Sequence, residues 1–465
     1  MIKYLTLDKI ILDVGNINVK SILDIKAKIT PNEHFRATIK FNTNDELKPI
    51  DIEQILYNRI VKLLKLNDEG YIDEIPLFSG IIENYNLIKK GIYFEIEINI
   101  VSATILLDIQ EKSRSFQNIN MTYSQIIKNV LEDTERANLI FNKEDRSIKK
   151  PIIQYKETNW EFIKRLASHF NTYLIPETNF WLPRFYLGLK KGEDVFIEDT
   201  IEYTIKLDNR YYNKNFIGNK NNIYKKDFSY YEIEYGENYL VGDNVTFKGI
   251  KLKIIEKETY LKKGHLIHKY KLGKETLFSP NEYYNKKFIG LNLKGTILET
   301  NKEVIKIHLD IDNFQDVNTA YFYTWRPETG NLMYLMPEIG TRVNLHFIDE
   351  DERNAILINS TNEENFKEEN YSKRNLTTKY NKHISIYPEK LEFLSSNIGH
   401  YINIQDKNGI NLISKNKIDV NATGQIYFNG SNKVYVDVPK EIKLNFVSVE
   451  EEFNFNNFNT DSWKV

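Results

Sequence analysis

The chain has 465 residues, and 63 Lys+Arg against 65 Asp+Glu leave a formal net charge of −2, which excludes a partner chosen by gross charge. There are no cysteines, which excludes a disulfide framework and thiolate metal sites. The length calls for several domains, because single cores stop growing well below it.

Most of the chain reads as β. The opening MIKYLTLDKIILDVGN carries charges inside its apolar run, so no signal peptide is expected there. No stretch is long enough to span a bilayer, and a soluble chain made in the cytoplasm is expected. The segment from Asp51 to Leu66 is ambiguous between helix and strand. Residues 92–100 (IYFEIEINI) alternate as a half-buried strand requires, and Asn67-Asp68-Glu69-Gly70, Lys90-Gly91 and Gly242-Asp243-Asn244 mark turns.

Two helices are predicted, near 122–138 and 158–170. Thr122-Tyr-Ser-Gln125 is a capping box, followed by an apolar stripe of Ile126, Ile127, Val130 and Leu131. Thr158-Asn-Trp-Glu161 is a second box, opening a helix with Phe162, Ile163, Leu166 and Phe170 on one face. A strand from Thr172 to Ile175 follows.

Between Phe288 and Ser360 five short strands are expected: 291–300, 304–311, 319–325, 341–348 and 354–359. That density suits a Greek-key barrel of the OB type. After the turn at Pro337-Glu338-Ile339-Gly340, Val343, Leu345 and Phe347 point one way, and Arg342, Asn344 and His346 the other. The polar stretch 362–373 reads as a linker.

Beyond it an apolar–polar–apolar triplet returns every eighth residue. The apolar pairs are Ile402 and Ile404, Ile410 and Leu412, Ile418 and Val420, Ile426 and Phe428, Val434 and Val436, and Ile442 and Leu444. Chance fills one such register with a probability on the order of one in 100,000 at this composition. Each octad is a short strand plus a bend, with Asn421, Asn429, Asp437 and Asn445 directly after the pair. Eight extended residues reach at most about 27 Å, too short for one chain to wind readily round a packed three-sided coil. Three identical chains wound together solve this, with the pairs meeting on the axis and no lateral edge left free. The competing arrangement is an antiparallel meander of regular hairpins, which the strict spacing fits less well.

The order of parts resembles the hub-and-spike proteins of contractile injection systems. That family includes the valine–glycine repeat (VgrG) spikes of type VI secretion and fused phage tail hubs and spikes. The matching stretches are Leu106–Asp108 with Arg114–Gln117 and Tyr123–Ile127, then Thr158–Ala167, and then Trp325-Arg326 with Met336–Gly340 and Val343–Phe347. The resemblance implies a mainly β protein. Residues 1–285 would hold two interleaved β-barrels, 286–360 an OB-fold neck, 361–376 a linker, and 377–465 an intertwined triple-stranded β-helix with its tip. It further implies a homotrimer that adapts a threefold spike to a sixfold tail tube and pierces an envelope. Implied partners are the tail tube protein and baseplate components at the hub, and a tip-sharpening PAAR-like protein or effector at the needle. Such a protein is made in the bacterial cytoplasm and assembled into the injection particle. It has no enzymatic activity and no cofactor.

Other chemistry is expected to be absent. Glu157 and Glu161 read as helix N-terminal charge. His265 and His268 lack the glutamate of a zincin motif. Asp310, Asp312 and Asp316 lack the glycine and terminal glutamate of an EF-hand loop. Trp325 and Arg326 read as packing, with no basic stripe for nucleic acid. No His-x-His occurs to hold an axial ion. The rival readings are a tail-associated cell-wall hydrolase and a glycan-binding tailspike.

Overall fold

The structure is a computed structural model, and it describes residues 4–44, 49–57, 60–207, 228–278, 280–327, 335–361, 372–395, 399–437 and 440. The protein is mainly β, with a few short helices and several largely antiparallel sheets. The chain divides into two units, Met1–Asn365 and Phe366–Val465.

After two short strands, Leu5–Thr6 and Ile10–Asp13, the first unit continues with strands β1 (Val19–Ile29) and β2 (Arg36–Asn44), helix α1 (Pro49–Leu56), then β3 (Ile60–Lys65), β4 (Phe78–Lys90) and β5 (Tyr93–Val101). The ambiguous stretch from Asp51 is thus both, helix to Leu56 and strand from Ile60. The strands hydrogen-bond in the order β1-β2-β5-β4-β3. Next come β6 (Lys112–Phe116), α2 (Tyr123–Leu131), β7 (Ile152–Glu157) and α3 (Asn159–Ser168).

Both helices start on capping boxes with both reciprocal bonds present, Thr122 with Gln125 and Thr158 with Glu161. Each cap contributes about 1 kcal/mol. Helix α2 stops at Leu131, where its buried stripe of Ile126, Ile127, Val130 and Leu131 runs out. It does not extend to 138. Helix α3 ends at Ser168, two residues short of Phe170. The amides of His169, Phe170 and Asn171 close tight turns onto the last carbonyls, and Asn171 sits at φ +48°. The strand expected from Thr172 runs Leu174–Pro176.

The chain then repeats its first motif. Strands β8 (Tyr203–Leu207), β9 (Ser229–Tyr235), β10 (Asn244–Phe247), β11 (Ile250–Lys262) and β12 (His265–Gly273) pair in the order β8-β9-β12-β11-β10. This is the order of the first copy, element for element. The long hairpin strands match in length: 13 residues for β4 and β11, 9 for β5 and β12. Each hairpin carries a bulge at the corresponding place, between Ile82 and Asn84 and between Ile254 and Glu256. Strands β5 and β12 bury the same positions, and each leads into a 3-10 turn, Ala103–Leu107 and Glu275–Phe278. The two copies join where β1 pairs antiparallel with β11, from Ile29↔Lys257 to Lys26↔Tyr260. One core runs beneath both, with Ile25, Ile39, Phe41, Ile96 and Ile98 from the first copy and Phe247, Ile254, Tyr270 and Leu272 from the second.

Five strands complete the first unit: β13 (Asn292–Asn301), β14 (Val304–Leu309), β15 (Phe322–Thr324), β16 (Arg342–His346) and β17 (Ile356–Thr361). They pair in the order β15-β14-β13-β16-β17, and a parallel bridge joins Trp325 to Leu357. Val343, Leu345 and Phe347 enter their core as expected. At Gly295 a Cβ would lie 2.7 Å from the carbonyl oxygen of His308, so only glycine lets β13 and β14 approach this closely.

In the second unit, β18 (Arg374–Thr377), β19 (Lys382–Tyr387), β20 (Lys390–Ser395), β21 (Tyr401–Gln405) and β22 (Gly409–Ile413) form an antiparallel meander in chain order. From Ser414 to Asp437 the described residues add no further strand. Most of the expected linker, 362–371, lies outside the described residues, as does the chain from 441 onward.

Candidate assembly surfaces

Strand alternation sorts the meander into two faces. One carries an apolar row: Leu376 opposite Ile384, Ile384 opposite Phe393, Phe393 opposite Ile402, and Ile402 opposite Leu412. A second apolar row runs beside it through Ile386, Leu391, Ile404 and Ile410. The other face carries Asn375, Ser385, Glu392, Asn403 and Asn411 in register.

The first two octad pairs, Ile402/Ile404 and Ile410/Leu412, therefore sit in adjacent antiparallel strands of one chain. This is the meander that strict spacing disfavoured. A hairpin of five-residue strands and three-residue turns has an eight-residue period too, and it also puts both apolar residues on one face. Ile418, Val420, Ile426, Phe428, Val434 and Val436 follow in unpaired chain, while Ile442 and Leu444 lie outside the described residues. All ten described members of the pairs are exposed, from 38% at Ile402 to 79% at Phe428. An apolar array of this extent left in water marks an interaction surface.

Among the described residues, the open strand edges of the first unit include one on β4 and one on β8. Tyr85 to Ile88 of β4 lie beyond the stretch that β3 covers, and no other strand among the described residues pairs with them on that side. Strand β8 ends its sheet, with Tyr203, Ile205 and Leu207 exposed.

The helices and the five-stranded sheet meet over a buried ion network. Arg165 of α3 donates from Nε and Nη2 to the two carboxylate oxygens of Glu157, both at 2.9 Å, and from Nη2 to the carbonyl of Ile153 at 2.8 Å. Its Nη1 reaches Glu352 at 2.5 Å. The guanidinium stacks near Phe162 and Phe288. Burial works against the Arg165 charge, and the two carboxylates overcome it, so the group stays protonated. Glu157 is thus no surface helix charge, as read from sequence, but half of a buried bidentate pair. Glu161 alone serves the helix terminus, as the capping partner.

Around this junction, Tyr123 Oη lies 2.9 Å from His169 Nδ1, and Arg146 donates to the His169 carbonyl at 2.7 Å. Burial first, and the Arg165 charge second, lower the His169 pKa to about 4. On the far side Asp312 accepts the Ser115 amide at 2.6 Å, and Gln117 donates to the Ile307 carbonyl at 3.2 Å.

The remaining sequence candidates are dispersed. His265 is exposed, while His268 is buried with Nδ1 2.8 Å from Thr259 Oγ1. Asp310 holds Arg342, and Asp316 shapes its own loop through the Asn318 amide. Trp325 is buried, donating Nε1 to the Leu335 carbonyl at 3.0 Å. Among the described residues no group of three or more His, Asp or Glu could hold a metal, and no helix is long and apolar enough to cross a membrane.

Sequence reasoning missed the Arg165 network, and it reached a doubled N-terminal part only through the family resemblance, without locating the two copies of the five-strand motif. The duplication has no residue signature beyond alternation. The network had one available signal, an arginine amid the apolar positions of a capped helix.

No protein-family model and no curated protein matches the sequence. Solved structures do match in fold. The E. coli c3393 protein is described as a component of the type VI secretion system with structural similarity to the T4 bacteriophage tail proteins gp27 and gp5. It aligns with a TM-score of 0.55 at 11% identity, over 75% of this chain and 99% of its own. A chain of the half-lidded Francisella PdpA–VgrG complex aligns with a TM-score of 0.54 at 9% identity, over 87% of each chain. A chain of the lidless complex aligns at 0.52 and 8% identity, over 84% of this chain and 93% of its own. Over most of its length the chain therefore has the fold of VgrG-like hub proteins of contractile injection systems.

Proposed function

We propose that this protein is the homotrimeric hub and spike at the tip of a contractile injection system. The observation that carries this reading is the exposed array of apolar pairs in the second unit, on a chain with the fold just described. Three copies would bury the apolar faces of their meanders against one another, and the unpaired octads from Ile418 onward would wind together about the same axis. The pairs named from sequence, including Ile442 and Leu444, would line that axis.

The duplicated motif supports the hub role. Three chains with two copies each present six similar surfaces, as an adaptor between a threefold spike and a sixfold tube requires. We assign 1–285 to a hub of two related barrels, 286–360 to an OB-type neck, 361–376 to a linker and 377–465 to the needle and tip. The strand order β15-β14-β13-β16-β17, with the Trp325–Leu357 bridge joining its outer strands, supports the OB assignment. On this reading the work is mechanical: sheath contraction drives the needle through an envelope, and no bond is made or broken by the chain. Its partners are the tube protein and baseplate at the hub, and a tip protein or effector at the needle. The protein is made in a bacterial cytoplasm and leaves it within the particle.

Equilibrium sedimentation of the purified chain tests this. A species of three times the chain mass, appearing in negative stain as a broad head with a thin stalk, is expected. A well-folded lone protomer would overturn it. Clearing of a peptidoglycan suspension, or selective binding on a glycan array, would favour a hydrolase or a tailspike instead.

A further inference from the structure

Lys257 on β11 lies directly opposite Tyr270 on β12 and Ile29 on β1. Directly opposed residues put their side chains on one face of a sheet, so Lys257 rises beside Tyr270, which is fully buried in the core under both copies. The Tyr270 hydroxyl acts as a clamp. It donates to the Glu237 carbonyl at 2.7 Å and accepts the Tyr239 amide at 2.7 Å. The residue between those two is Asn238, and Lys257 Nζ donates to its side-chain Oδ1. The far end of the same loop is pinned as well. The Gly242 amide donates to the Ile254 carbonyl at 2.9 Å, the Ile254 amide donates to the Asp243 carbonyl at 3.0 Å, and the Asp243 carboxylate accepts the Leu240 amide at 2.8 Å.

The hydrogen-bond partner of this half-buried lysine is a neutral amide, not a carboxylate. Desolvation lowers the Lys257 pKa to about 7, against the opposing pull of the Asp243 charge. At neutral pH a large share of the amine is therefore unprotonated and nucleophilic. An electrophile lies one bond from the contact, because Oδ1 and Cγ of Asn238 form the amide carbonyl. The Tyr270 clamp fixes that amide over the amine, which removes the entropy cost of a bimolecular encounter. Asn238 is exposed, so a leaving ammonia has a path to water.

We propose that Lys257 and Asn238 join in an intramolecular isopeptide bond. The neutral Nζ attacks Cγ of Asn238; the Nζ–Cγ bond forms and the Cγ–Nδ2 bond breaks. One proton passes from the attacking nitrogen to the leaving one, and Nδ2 departs as ammonia. The exchange of one amide for another consumes no oxidant, reductant or water. The bond closes the loop 238–257 and ties the turn after β9 to β11, the strand that joins the two copies. Like a disulfide, it restricts the unfolded chain, and it does so in a protein without cysteine. It forms within one chain, so it stands whether or not the chain trimerises.

Intact-mass spectrometry of the purified full chain, held folded at neutral pH until its mass is constant, reads the reaction directly. The expected mass is that of the sequence less one ammonia, about 17 Da. Trypsin is expected to release residues 227–248 and 254–262 as one branched species, because an acylated Lys257 no longer directs cleavage. Lys257→Arg keeps a donor for Oδ1 but removes the nucleophile, and Asn238→Ala removes the electrophile; each is expected to abolish both the mass loss and the branched peptide. A wild-type chain at its full sequence mass overturns the proposal, whatever the variants do. So does an ammonia loss that persists in Lys257→Arg, or one that maps to an Asn-Gly pair such as Asn408-Gly409, where succinimide formation gives the same change in mass.

Discussion

Arg165 on helix α3 donates to Glu352 at 2.5 Å, tying the helical layer to the five-stranded sheet through a site where both side chains are about 3% exposed. Removing the cation leaves two buried carboxylates without a counter-charge. Arg165→Met is therefore expected to cost about 3–5 kcal/mol of stability. The triple variant with Glu157→Leu and Glu352→Leu is expected to recover most of that loss. Urea denaturation of the three proteins checks both statements; a triple variant as weak as Arg165→Met would refute the second.

His169 supplies a pH dependence. Its folded pKa, about 4, lies below the ordinary value of 6.5, so between those values the unfolded chain binds the proton and the folded chain does not. Its contribution is full above pH 6.5 and is lost as pH falls towards 4. The urea midpoint is expected to drop between pH 7 and pH 5, and His169→Gln is expected to flatten that drop.

The two capping boxes should differ in cost. Thr122→Ala removes one cap and is expected to cost about 1 kcal/mol. Thr158 caps α3 and also donates from its hydroxyl to Asp108. Thr158→Ala is expected to cost more than Thr122→Ala, towards the upper end of the roughly 0.5–2 kcal/mol range for caps. Thermal melts of the two variants, compared side by side, decide this.

Ile418→Asn together with Val420→Asn tests the needle. Both residues are exposed in one chain, so the fold of the first unit should be unaffected. On the proposed axis they become buried, and the double change is expected to lower the temperature at which the trimer dissociates. Light scattering during heating reads it; an unchanged dissociation temperature would remove these residues from the axis.

What the sequence disclosed follows physical type. The capping boxes were legible because both partners lie within four residues and have fixed chemistry. The five strands from Asn292 to Thr361 were legible because alternation and turns mark them locally. The helix ends were missed at Leu131 and Ser168, since an apolar stripe fades without a sharp stop signal. The duplication was expected from the family resemblance alone and not from the residues, because β4 with β5 and β11 with β12 need only alternation, bulge and turn, which many residues satisfy. The tail was half legible: a period of eight demands a one-faced strand with a bend, and both a hairpin and an interchain coil meet that demand. Glu157 was misread because its partner is found only once the helix is wound, and Glu352 arrives from far along the chain.

A Cβ at Gly295 would lie 2.7 Å from the His308 carbonyl oxygen, so β13 and β14 have no slack at that point. Even a methyl group there would unseat the pairing instead of merely crowding it, which makes this the position in the five-stranded sheet least able to drift.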